Sequence, residues 1–142
     1  MNISNFKDLE KALKGKINQA MSTDVKKEAV KTLKEHIVTD IYDEYDPSVY
    51  VRTGGLLQDK NIQTIMDEVT GVLSVRGVRK ENGKDISAII EYGIGYDWED
   101  SRIAKMQPYP RPAHENAAIE MRKGRFEKTL INGLRKQGLN VR

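Results

Sequence analysis

Apolar residues at helical spacing over the first forty positions are the strongest constraint on how this chain can fold. Phe6, Leu9, Leu13, Ile17 and Met21 recur at steps of three and four, with Lys and Glu between them, the pattern of an amphipathic helix. A second set, Val25, Ala29, Leu33, Ile37 and Ile41, repeats every fourth residue. Ser22-Thr23-Asp24 separates the sets, three residue types that favour helix N-caps over helix interiors. Two helices and one long helix kinked there both satisfy the pattern. A stripe this narrow predicts packing against one sheet or one partner. The helical pattern ends in Asp40, Asp43, Glu44 and Asp46, followed by Pro47. Negative charge at a helix C-terminus opposes the macrodipole, so this turn frays unless something basic covers it. The cluster reads either as an acidic contact patch for an Arg-rich surface or as a solvated helix end.

The next stretch is punctuated. Tyr50-Val51-Arg52-Thr53-Gly54-Gly55-Leu56-Leu57 carries paired glycines, which open backbone angles closed to other residues and predict a sharp turn. From about Asn61 to Tyr92 the sequence reads as strands. Ile62, Thr64 and Met66 alternate, and Val72, Leu73, Val75 and Val78 form a β-branched run. Asn82-Gly83 between two such runs is a strong hairpin signal. Ile86, Ala88, Ile90 and Tyr92 would share one face of the returning strand, with Ser87, Ile89 and Glu91 on the other. The basic run Arg76, Arg79, Lys80 and Lys84 around the hairpin reads as a phosphate-contacting finger, a tip projecting into a lumen or toward a partner, or a solvated turn.

Between Gly93 and Pro112 the pattern stops. Gly93-Ile94-Gly95-Tyr96-Asp97-Trp98 holds the single tryptophan, and Pro108-Tyr109-Pro110-Arg111-Pro112 is extended because each proline restrains itself and its predecessor. A twenty-residue loop in so small a domain is usually functional or mobile. Trp98 and Tyr109 are either a lid over one end of the core or an interface anchor. The last segment returns to helix at Pro112, with Ala117, Ala118, Met121, Phe126, Leu130 and Leu134 on its apolar side and Gly138 ending it. From Arg111 to Arg142 there are eight Arg or Lys against three Glu, so this end carries the excess positive charge.

The 142 residues fit one domain, 1–142, with a formal net charge of +3. That balance does not predict nucleic-acid binding. Apolar residues are 38% and charged residues 32%, which is consistent with a modest core and with apolar surface reserved for neighbouring subunits. The absence of cysteine excludes disulfides, thiolate metal sites and cysteine nucleophiles. No apolar run approaches the ~20 residues that span a bilayer, and the N-terminus turns charged at once, so we expect a protein made and kept in the host cytoplasm. His36 and His114 stand on separate predicted helices without ligand spacing. Glu91 beside Asp97 could imitate a paired-carboxylate site, but a carboxylate at a sheet edge is more often solvated or salt-bridged. With no assembled constellation we expect no enzyme, no metal and no cofactor.

The order of punctuation carries a resemblance. Thr53-Gly54 with Leu56, then Ile90-Glu91-Tyr92-Gly93, then Arg111-Pro112-Ala113 match, in order, the turn, strand end and helix entry of phage minor tail component and tail-completion (head–tail joining) proteins. The chain resembles that family over roughly residues 50 to 120 by motif and throughout by layout, although Pro47 stands six residues before the turn. The resemblance implies an α+β subunit, its N-terminal helices and C-terminal helix packed on one antiparallel sheet of three to four strands. It implies a structural protein of the virion neck, a homo-oligomeric ring, hexameric when assembled, meeting the tail tube protein and the head connector or stopper proteins around the DNA path, with no membrane contact. Expected interface residues are Arg52, Tyr92, Tyr96, Trp98, Tyr109 and Arg111, with Arg52 pairing to the acids at Asp43 to Asp46. The hairpin residues Arg76, Arg79, Lys80 and Lys84 form the expected projection. The competing reading is a small basic DNA-binding or regulatory protein of a mobile element.

Overall fold

In the computed structural model, residues 3–44, 53–95 and 109–142 are described. The N-terminal pattern forms one continuous helical rod. Helix α1 (Phe6–Ala20) passes through a wide π turn at Met21–Val25 into α2 (Lys26–His36), which ends in a second π turn at Ile37–Tyr42. Ser22-Thr23-Asp24 therefore does not start a second helix. Backbone angles stay right-handed helical across the junction. The hydroxyls of Ser22 and Thr23 both donate back to the Gln19 carbonyl, at 3.2 and 2.7 Å, which loosens a helix without terminating it. The turn shifts the register, so the two apolar sets meet different neighbours. Leu33, Ile37 and Ile41 join Leu56, Ala113 and Ala117 in the main core, with Ile62, Val75 and Ile90 packed against it.

Among the described residues there are four strands, arranged as two two-stranded antiparallel ladders in place of one sheet. Strand β1 (Ile62–Asp67) pairs with β2 (Val72–Gly77), and Ile62, Thr64 and Met66 face inward as their alternation requires. This longer hairpin turns on Asp67, whose carboxylate accepts from Val69 N and Thr70 N, and on Gly71 at φ +73°. Asn82-Gly83 does form a hairpin, with both residues at positive φ, but β3 (Lys80–Glu81) and β4 (Lys84–Asp85) are only two residues each.

The predicted returning strand is overturned. Ile86–Tyr92 is a helix, α3. Asp85 caps it by accepting from Ala88 N at 3.0 Å, and Gly93 closes it at φ +66°. A helix cap at each end outweighs a short period-two pattern. The α+β class stands, with two separate two-stranded ladders in place of one sheet of three to four strands and with a helix where a strand was expected.

The last segment also divides. Helices α4 (Ala113–Glu120) and α5 (Phe126–Lys136) are separated by a kink at Lys123 and Gly124, the latter at φ 115°. Helix α4 packs on α2, while α5 folds back on α1 and the Met21–Val25 turn. The approach is close at Gly133, where a Cβ would stand 3.0 Å from Ala20 Cβ. Gly138, at φ +82°, ends α5 as expected: Leu139 N bonds Leu134 O and Gly138 N bonds Arg135 O.

Gly93 carries a second demand beyond its positive φ. A Cβ there would lie 2.4 Å from both Pro110 N and the Tyr109 carbonyl carbon. Gly93→Ala is expected to lose at least about 2 kcal/mol of stability. Gly15→Ala, mid-helix with open space around its Cα, should gain roughly 0.5–1 kcal/mol. Urea unfolding midpoints at constant slope measure both.

Candidate functional site

Two of the three motif segments that carried the resemblance, Ile90–Gly93 and Arg111–Ala113, meet at one junction, and Leu56 of the third lies in the core beside Ala113. Pro112 occupies the N-cap position of α4 and offers no side-chain acceptor, so the first amides of that helix need a partner from elsewhere. Glu91, in the last turn of α3, supplies it. Its carboxylate accepts from His114 N and Glu115 N, each at 3.0 Å, and from His114 Nδ1 at 2.7 Å. The other ring nitrogen of His114, Nε2, accepts from Gly77 N at 2.8 Å. One tautomer satisfies both contacts, with the proton on Nδ1. Helix α3, helix α4 and the end of β2 are thus joined through a single carboxylate–imidazole pair. Arg111 N closes the junction by donating to Ile90 O at 3.0 Å. Burial disfavours the Glu91 charge, but the imidazole and the two amides prevail and hold its carboxyl below the usual range.

Glu91 and His114 together with Ser87 have the composition of a hydrolytic triad. The atoms that would do the chemistry are engaged otherwise: His114 Nε2 takes the Gly77 amide, and the buried Ser87 hydroxyl accepts from Arg79 N at 3.3 Å. The arrangement positions three chain segments. Among the described residues no group of three His, Cys, Asp or Glu is placed to hold a metal ion. No helix among them is long and apolar enough to cross a membrane.

A second polar cluster joins α2 to the α4–α5 kink. His36 Nδ1 meets Asp40 Oδ2 at 2.8 Å and its Nε2 meets Glu120 Oε2 at 2.7 Å. Two carboxylates on the two ring nitrogens favour the doubly protonated ring, in which both nitrogens donate. Burial opposes that charge, yet the two carboxylates raise its pKa above the ordinary 6.5. Asp40 also accepts from Asn116 Nδ2 at 3.0 Å, and its carboxyl is lowered by Asn116 and His36 against the cost of burial. Arg125 binds Glu28 at 2.5 Å, Glu35 at 2.9 Å and Glu120. Asp40, read from sequence as part of either an acidic contact patch or a solvated helix end, is half-buried and engaged by His36 and Asn116.

The residues expected at an interface are distributed unevenly. Tyr92 and Tyr109 are 64% and 42% exposed and are brought together, since Gly93 abuts Tyr109 and Pro110. Ile94, the residue after Gly93, is 68% exposed. Arg111 is a correction: it is buried at 6%, with its guanidinium 5.1 Å from the centre of the Tyr109 ring. Arg52, Tyr96 and Trp98 lie outside the described residues, as does Asp46, so the pairing of Arg52 with the acids is left there. In the basic hairpin only Lys80 and Lys84 belong to the short ladder. Arg76 lies on β2, bonded to Gln63 Oε1 at 2.7 and 2.9 Å. Arg79 is half-buried, binds Glu81 at 3.1 Å and covers Gly55 so closely that a Cβ there would stand 2.8 Å from its Cζ. Neither arginine is part of a free projection. Apart from these groups, an apolar cleft of about 320 Å³ opens between the helices and β2, lined by Met21, Val25, Leu73, Met121 and Phe126 among others.

The family model for YomN matches residues 5–137, from the N-cap of α1 to the end of α5. The chain belongs to the YomN family. It is 39% identical over 120 residues, 84% of this chain and 83% of the relative, to the SPbeta prophage-derived uncharacterized protein YomN of Bacillus subtilis (strain 168). No solved structure matches the chain. The expected phage or prophage origin therefore holds at the level of the YomN family, a prophage-derived one, and the matched region includes all of the Glu91–His114 junction. Sequence reasoning missed the roles of Glu91, His114 and His36. The one available signal was Pro112, a helix start lacking its own cap.

Removing the junction's acceptor leaves two amides and an imidazole N–H without their partner. Glu91→Ala is expected to cost about 2–3 kcal/mol in urea unfolding. Stability should also vary with pH on both sides of a maximum. The stability from the raised His36 is complete below an unfolded-chain value near 6.5 and is lost as pH rises through its higher folded value. The stability from the lowered Asp40 and Glu91 is present above about pH 4 and is lost as pH falls. His36→Gln should flatten the alkaline limb and shrink the acid limb without abolishing it, because Asp40 loses one of the partners that lower it while Glu91 keeps its own, as read from unfolding free energies across the pH series.

Proposed function

We propose that this chain is a non-catalytic structural subunit of a phage or prophage particle, forming a ring at the neck that joins the tail tube to the head connector. The observation that carries the reading is the exposed group of Tyr92, Ile94 and Tyr109 on a rigid base, where α3, α4 and β2 are tied together by Glu91 and His114. Large apolar and aromatic side chains left in water on a fixed scaffold are what a protein interface requires. The same base carries two of the three motifs of the head–tail joining resemblance, and membership of a prophage-derived family supports it. Both ends of the segment holding Tyr96 and Trp98 attach at this base, because Gly93 touches Tyr109. The ring would close by head-to-tail contacts, in which one patch meets a different patch on the next copy.

The DNA-binding reading asks for cations directed at phosphate. Arg79, Arg125 and Lys136 are instead engaged by carboxylates of the same chain, and Arg76 by Gln63.

The test is particle assembly with the chain deleted and then resupplied. Without it, induced particles should accumulate as separate filled heads and tails, and resupplied tagged chain should appear at the neck in electron micrographs. Tyr92→Ala and Trp98→Ala should reduce joining by about tenfold, as for loss of interface anchors. The thermal midpoint of the Tyr92 variant should stay unchanged. Intact joined particles made in its absence would refute the proposal. Steeply salt-dependent DNA affinity of the purified chain would replace it with the DNA-binding alternative.

A further inference from the structure

Helix α1 turns its large apolar residues the wrong way for a core. The side facing the body carries Ala12, Lys16 and the fully buried Ala20, with Lys16 Nζ bonding Gln137 O at 2.8 Å. Phe6, Leu9, Leu13 and Ile17 form the stripe read from the sequence, yet they are 90%, 36%, 40% and 40% exposed. Only Met21, at the end of that set, is buried. Among the described residues nothing closes over the stripe, and it lines a shallow apolar trough together with Glu10 and Lys14. Val69, 80% exposed, extends the patch at its edge, where Lys14 Nζ donates to Val69 O at 3.0 Å.

We infer that this stripe is the contact by which two copies of the chain pair, with their α1 helices antiparallel about a two-fold axis. The inference does not rest on the neck reading, since a two-fold pair is a closed contact and a ring is built head to tail. The charges decide the occupant and its direction. Glu10 and Lys14 are four residues apart on one flank of the stripe. In an antiparallel pair the same flank of each helix faces its equivalent, so an axis near the middle of the stripe places Phe6 against Ile17 of the second copy and Leu9 against Leu13. It also places Glu10 against Lys14 of the second copy, twice by symmetry. Lys14 uses one N–H on Val69 and retains two. A parallel pair would set this flank against the opposite one, where Lys16 is already engaged. The surface is therefore complementary to itself in one orientation. The stripe spans about 16 Å, three helical turns, and its four side chains offer less than the ~800 Å² per partner of a standard stable interface. Pairing should accordingly depend on concentration.

Sedimentation of the full chain from low micromolar to millimolar concentration tests this, with Glu10→Lys, Lys14→Glu and Leu13→Asp beside the wild type. All three positions are exposed, so the unfolding midpoint should be retained. The wild type should pass from monomer to dimer. Each single charge reversal should weaken self-association by about tenfold, and Leu13→Asp should abolish it. An equimolar mixture of Glu10→Lys and Lys14→Glu should form heterodimers more tightly than either variant pairs with itself. A wild type that stays monomeric at millimolar concentration overturns the proposal, whether the stripe is bare or covered by another part of the chain. So does a dimer indifferent to these substitutions, or one weakened by them without recovery in the mixture.

Discussion

A proline at the start of α4 leaves that helix without a cap, and the Glu91 carboxylate that replaces the cap organises the domain around it. An N-terminus of a helix is a concentration of unpaired amides and positive dipole, so a buried carboxylate there is both hydrogen-bonded and electrostatically favoured. The carboxylate sits in α3 and not in the preceding loop, so satisfying the amides also fixes the angle between two helices. His114 extends the constraint to β2 through the Gly77 amide. Gly93 then lets the chain at Tyr109 and Pro110 pass at backbone contact. Any side chain there would push these segments apart, so the glycine and the carboxylate belong to one device.

The second polar cluster works differently. Arg125 and His36 gather Glu28, Glu35, Asp40 and Glu120 from α2, its terminal turn and the α4–α5 kink. Partial burial makes each charge costly alone, and shared partners offset that cost. The cluster specifies how the C-terminal helices register against the N-terminal rod. Arg125 of the basic C-terminal segment is taken up by Glu28 and Glu35 of α2 and by Glu120, while Asp40 of the acidic helix end is taken up by His36 and Asn116. Large apolar side chains remain outward as well, among them the α1 stripe and Tyr92, Ile94 and Tyr109.

The legible parts of the sequence were those governed by local chemistry. The helical period of the N-terminal rod, the inward alternation of Ile62, Thr64 and Met66, the Asn82-Gly83 turn and the Gly138 terminus depend on neighbours within a few residues. Ile86–Tyr92 misled because alternating apolar residues over seven positions satisfy a strand, whereas the deciding signals, Asp85 and Gly93, flank the segment and are easily assigned to turns. The Asp67–Gly71 turn was missed for a related reason: its Asx geometry comes from a residue that also ends a strand.

From the sequence alone come an α+β class, an amphipathic N-terminal rod and the absence of thiol chemistry. Local periodicity and composition suffice for these, because each follows from the spacing of side chains along one segment. Only tertiary structure decided that Glu91 caps a helix 22 residues onward, that Arg111 goes inside, and that Phe6, Leu9, Leu13 and Ile17 face out. Those outcomes turn on which amide lacks an acceptor and which helix face meets small residues. Both are properties of segments brought together by folding, and no window of sequence contains them.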